Sequence, residues 1–295
     1  MTTNLRMGNL LAVLVLGGSV VACTSNAAPT TGNGGSTGTG GTGTGTGGSS
    51  GGGSSGSAVA CGTGSFTPSN GTVCPPPPAS GLITDFTYVA DSGSTEQVRF
   101  GDDSTTLTGG ESTYANSGGT ITSDVTGNDW HITAHVANYS GFNIYFDAVP
   151  VSGSPCNVVD AQAFTGISFT IWGSAAGNAI TMGMGIVDDT PTPSWFSSVD
   201  AGTVTTPGSC IPTSGSQYYH PGCADPTNAI SIPSTATSAA TAQTVSLKWT
   251  DFTGGACKPN VIPSQITSLY WQFLWSATTA PYDVDIHIDN LTFTK

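Results

Sequence analysis

Residues 130–147, WHITAHVANYSGFNIYFD, decide the fold. In Trp130–Val136 one face carries Ile132, Ala134 and Val136, and the other carries His131, Thr133 and His135. Gly141–Asp147 repeats the alternation, setting Phe142, Ile144 and Phe146 against Asn143, Tyr145 and Asp147. A period of two marks a strand buried on one face and solvated on the other. Further along, Gly166–Trp172 sets Ile167, Phe169 and Ile171 against Ser168, Thr170 and Trp172, and Ile180–Ile186 and Val245–Trp249 do likewise. Gly- and Pro-rich turns separate these runs, and helical periodicity is nearly absent. Several strands that each own one apolar face predict an all-β fold, a two-sheet antiparallel sandwich.

The last segment, Val284-Asp-Ile-His-Ile-Asp-Asn-Leu-Thr-Phe293, changes parity within itself. Apolar residues occupy even positions through Ile288 and odd positions at Leu291 and Phe293. One extra residue in a continuous strand accounts for this, so a bulge is predicted at Asp289-Asn290.

Four motifs then resemble a family. Leu82-Ile-Thr-Asp-Phe86 resembles the opening strand of galactose-binding-like jelly rolls, and Asp160–Phe169 resembles their turn and strand ending in G-I-x-F. Val245–Phe252 is similar to their W-x-D-F strand and turn, and Gln265–Phe273 with Ile286–Phe293 to their closing pair. The group includes β-glucan-binding modules of secreted polysaccharide-degrading enzymes. The resemblance therefore implies a jelly roll over residues 80–295 that binds a carbohydrate. It also implies a structural Ca²⁺ between the first and last strands, where Asp85 and Asp289 match the acidic positions; the rival role for Asp289 is bonding backbone amides at its bulge.

The rest of the chain concerns export and tethering. Residues 10–23, LLAVLVLGGSVVAC, form an apolar run too short to span a bilayer, preceded by Arg6, and suit a signal peptide over residues 1–22. The ending Val20-Val21-Ala22-Cys23 resembles a bacterial lipobox, which implies lipidation at Cys23 and a cell-envelope location at the outer membrane or cell surface. Residues 23–60 are nearly all Gly, Ser, Thr, Ala and Asn, a composition that cannot offset chain entropy and so predicts a flexible linker. Residues 61–79 read as a small disulfide loop followed by a polyproline spacer.

Composition narrows the partners. Eighteen acidic residues face five basic ones, for a net charge of −13. Nucleic acid and anionic lipid would repel such a surface, so the membrane is met through the lipid alone and the domain is expected as a monomer. Six cysteines besides Cys23 read as disulfides in an exported chain. Sequence proximity pairs Cys61 with Cys74 and Cys210 with Cys223, leaving Cys156 for Cys257.

A sugar site needs flat aromatic area beside oriented polar groups. Tyr145 shares its face with Asn143 and Asp147, and Trp172 with Ser168 and Thr170. If Leu269, Trp271 and Phe273 point inward, Tyr270 and Gln272 share the outer face. His131 and His135 can add hydrogen bonds, and Trp195 lies in the Pro-rich loop Thr190–Phe196. The expectation is a non-catalytic polysaccharide binder, with Tyr145, Trp172 and Tyr270 lining one groove. The alternatives are a weak glycoside hydrolase using Asp residues and an adhesive envelope protein. Against hydrolysis, the chain has only Glu96 and Glu111 as glutamates, and no nucleophile elbow or zincin motif.

Overall fold

The computed structural model describes residues 66–67, 73–87, 89–91, 98–100, 107, 109–125, 128–146, 156–200, 207–213, 215, 220–275 and 281–295. The signal segment, Cys23, the linker and Asp147 lie outside the described residues.

Among the described residues, thirteen strands and one α-helix follow in order: β1 (Leu82–Thr84), β2 (Val89–Asp91), β3 (Val98–Phe100), β4 (Gly109–Ala115), β5 (Thr120–Asp124), β6 (Trp130–Val136), β7 (Ser140–Tyr145), β8 (Gly166–Ser174), β9 (Ile180–Ile186), α1 (Pro193–Asp200), β10 (Thr227–Ile230), β11 (Gln243–Lys248), β12 (Ile266–Phe273) and β13 (Tyr282–Thr294). They form a two-sheet sandwich with antiparallel pairing. The smaller sheet has the order β11-β8-β13-β6-β5, with β1 also on β13, and the larger has β10-β9-β12-β7-β4-β3-β2. From β6 to β13 the chain crosses repeatedly between the sheets, as a jelly roll does.

The core is the alternation made solid. Ile132, Val136, Phe142, Ile144, Ile167, Ile171, Leu269 and Trp271 are fully buried. Trp130 meets Phe142 edge-on at 4.9 Å and Trp271 at 5.7 Å, joining the two sheets through aromatic contacts. Its Nε1–H donates to Ser123 Oγ at 2.8 Å, which donates to the buried Glu111 at 3.0 Å. Glu111 thus faces the interior of the sandwich.

The bulge lies where the parity change puts it. Asp289 pairs with Thr170 and Thr292 with Ser168, so β13 spends one extra residue between them, and Asn290 takes a φ of 54°.

Two disulfide expectations are overturned. Cys74 bonds to Cys156, not to Cys61, because Val73 pairs in parallel with Val158 and seats Cys74 in the core. Val73 and Cys74 are therefore pinned to the sandwich instead of closing a loop with Cys61. Cys156 is thereby unavailable to Cys257, which is itself disulfide-bonded and whose Sγ lies 3.6 Å from that of Cys210. Cys210 and Cys223 are bonded to each other. The Pro-rich loop holding Trp195 is also corrected: Pro193 opens α1, a position where its missing N–H costs nothing.

Candidate ligand groove

The outer face of the larger sheet carries three tyrosines, each laid over a glycine of the neighbouring strand. Tyr145 of β7 lies over Gly110 of β4, and Tyr114 of β4 lies over Gly141 of β7. Tyr270 of β12 lies over Gly183 of β9. A Cβ at these glycines would come within 2.6 Å of the Tyr145 hydroxyl, 2.6 Å of the Tyr114 hydroxyl and 2.0 Å of Tyr270 Cζ. Any larger residue would therefore prop its tyrosine upright. With glycine beneath, the rings lie along the sheet and present flat apolar area.

Polar groups stand between the rings. Register places Asn143 beside Tyr270, and Ser268 beside Tyr145. Gln272 is hydrogen-bonded to Tyr114, whose hydroxyl pKa burial pushes up to about 12 against that bond. Burial, then the nearby Asp225 carboxylate and Tyr114, raise Tyr270 as well. Tyr114 and Tyr270 therefore stay neutral hydrogen-bonding groups at physiological pH.

Loops build the wall. Two adjoining cavities of about 350 and about 600 Å³ share Asn143, His220, Asp225 and Ser268. Tyr145, Asp189 and Phe196 line the first, and Tyr114, Tyr270 and Gln272 the second. Each volume falls in the range of small-ligand sites. The wall is held by the Cys210–Cys223 bond and by bridges from Ala224 to Ala256 and from Thr227 to Thr253. His220 is fixed by its Nδ1 contact to the Cys223 carbonyl at 2.8 Å, and Trp195 packs edge-on against its ring.

Two carboxyls face this space. Asp189 is 1% exposed; its Oδ1 accepts the Lys258 N–H at 2.6 Å, while its Oδ2 has no hydrogen-bond partner among the described residues. Burial pushes its pKa up to about 6, against the Lys258 amide, with Asp188 adding repulsion. Burial and then the charge of Asp189 push Asp225 up to about 7, opposed by the Ile186 N–H. Asp188 points away, accepting from Ser209 Oγ at 3.0 Å and pairing with Lys258.

A consequence for stability follows from the sign of these shifts. A raised folded-state pKa means the native protein holds protons that the unfolded chain has released. Stability therefore falls as pH rises from about 4 to about 7, then levels. Between pH 5 and pH 8 the wild type is expected to lose about 2 kcal/mol that the Asp225→Asn variant keeps, measured by urea unfolding at both pH values. Parallel pH profiles for the two proteins would contradict the shift.

No family model and no curated protein matches the chain. Among solved structures, it is similar to a family 11 carbohydrate-binding module from Clostridium thermocellum in complex with a β-1,3-1,4-mixed-linked tetrasaccharide, at 13% identity and a TM-score of 0.38, covering 68% of this chain and 97% of that one. The family 11 module of a cellulosomal cellulase from the same organism gives 11% identity, a TM-score of 0.38 and coverage of 68% and 95%. An agarase gives 12%, 0.35, and coverage of 63% and 24%. Likeness this distant assigns no residue its role.

The other expected site residues are distributed as follows. Tyr145, Tyr270 and Gln272 share the groove face, and Trp195 backs its rim through His220. Trp172 does not join them. It lies on the outer face of the smaller sheet, 8% exposed and stacked on His287 at 4.9 Å. His135 is on that face too, paired with Asp283 at 2.7 Å. Asp85 and Asp289 do come within electrostatic reach of each other: burial raises the Asp289 pKa, and Asp85 and Asp129 raise it further. Asp289 also bonds the Asn290 N–H at 2.6 Å, the local role expected at a bulge. Tyr114, Asp225 and His220 escaped sequence reasoning, and Asp189 entered it only among the Asp residues of the hydrolase alternative. The readable signal was Gly110, Gly141 and Gly183 inside strand patterns, since such glycines mark close approach of another group.

Proposed function

We propose that this protein binds a neutral, β-glucan-like polysaccharide without cleaving it, in the groove on the larger sheet. The three glycine-backed tyrosines carry the reading. Flat rings match the apolar faces of sugars, while Asn143, Gln272, Asp189 and Asp225 meet their hydroxyls. An acidic protein tolerates an uncharged ligand where it would repel an anionic one. Lipidation at Cys23 and residence at the outer membrane or cell surface belong to the same proposal; the lipobox-like ending supports them. A lipid anchor and a long tether would raise the local concentration of a weak single site. Calcium at Asp85 and Asp289 also belongs to the proposal, supported by the repulsion that Asp85 and Asp129 exert on Asp289.

The Asp189–Asp225 pair supports a second reading, glycoside hydrolysis, because coupled carboxyls with raised pKa values suit acid–base work. One experiment separates these readings. The full chain is run in affinity gels cast with mixed-linked β-glucan, xylan or mannan, with calcium or a chelator, and reducing-sugar release is followed alongside. Retardation without sugar release is expected. Release that disappears in Asp225→Asn would make it a hydrolase, and no retardation by any polymer would end the binding proposal. Calcium is expected to raise the thermal midpoint of the wild type but not of Asp289→Asn, and equal midpoints in chelator would remove it.

A further inference from the structure

The outer face of the smaller sheet, remote from the groove's sheet, gathers histidine chemistry that sugar binding does not use. His131 and His287 are register partners on β6 and β13, and Asp285 shares their face two residues before His287. His131 Nε2 lies 2.9 Å from Asp285 Oδ1, and His287 Nε2 lies 3.9 Å from the same oxygen. The ligand atoms of all three residues fall within 4.8 Å of one another.

We propose that His131, Asp285 and His287 form a site for a divalent transition metal, with zinc as the expected ion. Two imidazole nitrogens and one carboxylate oxygen, with room for water, match the donor set of open zinc sites. His287 is prepared for this role. Its Nδ1 lies 2.7 Å from Asp129 Oδ2, and an ionised carboxylate only accepts, so Nδ1 carries the proton and Nε2 keeps its lone pair. A histidine ligand held through its other nitrogen by a carboxylate is the arrangement that fixes tautomer and ring orientation at metal centres. The ring is also clamped on both faces, by His131 at 4.1 Å and by Trp172 at 4.9 Å, each nearly parallel.

The remaining adjustment falls on the His131 ring, which stacks parallel to His287 and must turn for both lone pairs to meet one ion. Tetrahedral zinc with bonds of about 2.05 Å sets ligand atoms about 3.3 Å apart, so the widest pair must close by up to about 1.5 Å. That pair is the two imidazoles, since Asp285 Oδ1 lies closer to each, and His131, with its side chain 35% exposed, has room to turn. A cavity of about 280 Å³ bordered by Trp172, Asp285 and His287 admits the metal and its water. Binding replaces the His131–Asp285 hydrogen bond by bonds from both groups to the metal. The metal would tie β6 to β13 at the middle of the sheet.

The test is isothermal titration of the full chain with zinc chloride alone. The wild type is expected to show one saturable site, lost in His287→Gln, which keeps a donor for Asp129 but removes the ligand nitrogen. Asp129→Asn should weaken binding by about 10- to 100-fold through loss of orientation. The chain has four histidines, and His135→Gln and His220→Gln should leave the isotherm unchanged. Asp85→Asn, which alters the carboxylate cluster on the first strand, should also leave it unchanged. Absence of a saturable site in the wild type overturns the proposal, as does zinc binding that survives both His287→Gln and the exposed-site variant Asp285→Asn. These outcomes are independent of whether any glycan binds.

Discussion

Replacing Trp130 with alanine is expected to lower the unfolding free energy by about 4 kcal/mol, measured by urea titration with the disulfides intact. Trp130 has no exposed surface and touches Phe86, Phe142 and Trp271, so its removal opens a cavity at the junction of both sheets. Ser123 also loses the indole donor that it links to the buried Glu111. Such a loss is a large part of an ordinary domain's stability. A second substitution separates packing from hydrogen bonding. Trp271 is equally buried, but its Nε1–H has no hydrogen-bond partner among the described residues. Trp271→Phe therefore strands nothing and should cost less than Trp130→Phe, which leaves Ser123 without its donor. A Trp130→Ala loss below about 1 kcal/mol would mean the site collapses and the cavity argument fails.

Tyr270→Ala is expected to weaken polysaccharide binding by about 10- to 100-fold with little loss of stability, since one stacked ring at the groove centre is worth roughly 1.4–2.8 kcal/mol. Gly183→Ala should approach the same loss although residue 183 never contacts the ligand. Its Cβ would fall 2.0 Å from Tyr270 Cζ, so the ring must lift off the sheet. Trp172→Ala serves as the control because Trp172 stands on the other sheet, against His287. Affinity electrophoresis reads all three variants. If Trp172→Ala abolishes retardation and Tyr270→Ala does not, the sugar site lies on the smaller sheet and the groove assignment is wrong.

These two results probe different layers of what the sequence exposes. The strands around Trp130 and Phe142 were legible because burial on one face forces a period of two, and that period survives in the linear pattern. The bulge at Asp289-Asn290 was legible for the same reason: an inserted residue must reverse the parity. The glycine-rich β9 was harder to read. Gly183 and Gly185 are buried by side chains of β12, so alternation alone cannot tell their outer face from the core.

The site divides along the same line. Tyr145, Tyr270 and Gln272 could be placed on outward faces from their own strands. Which sheet each strand joins could not, and that separates Trp172 from the tyrosines. Tyr114, Asp189, Asp225 and His220 enter through contacts between segments far apart in the chain, so no local spacing announces them.

By itself, then, the sequence determined the acidic composition, and the in–out alternation, the sandwich class and the bulge, which follow from neighbours along one strand. Only the tertiary structure decided the Cys74–Cys156 bond, the three tyrosine–glycine pairs, the coupled carboxyls of the groove and the His131–Asp285–His287 cluster. The physical reason is register. Side-chain facing is set within a strand, whereas cross-strand partners depend on how strands distant in sequence align, and these groups acquire their chemistry only from such partners.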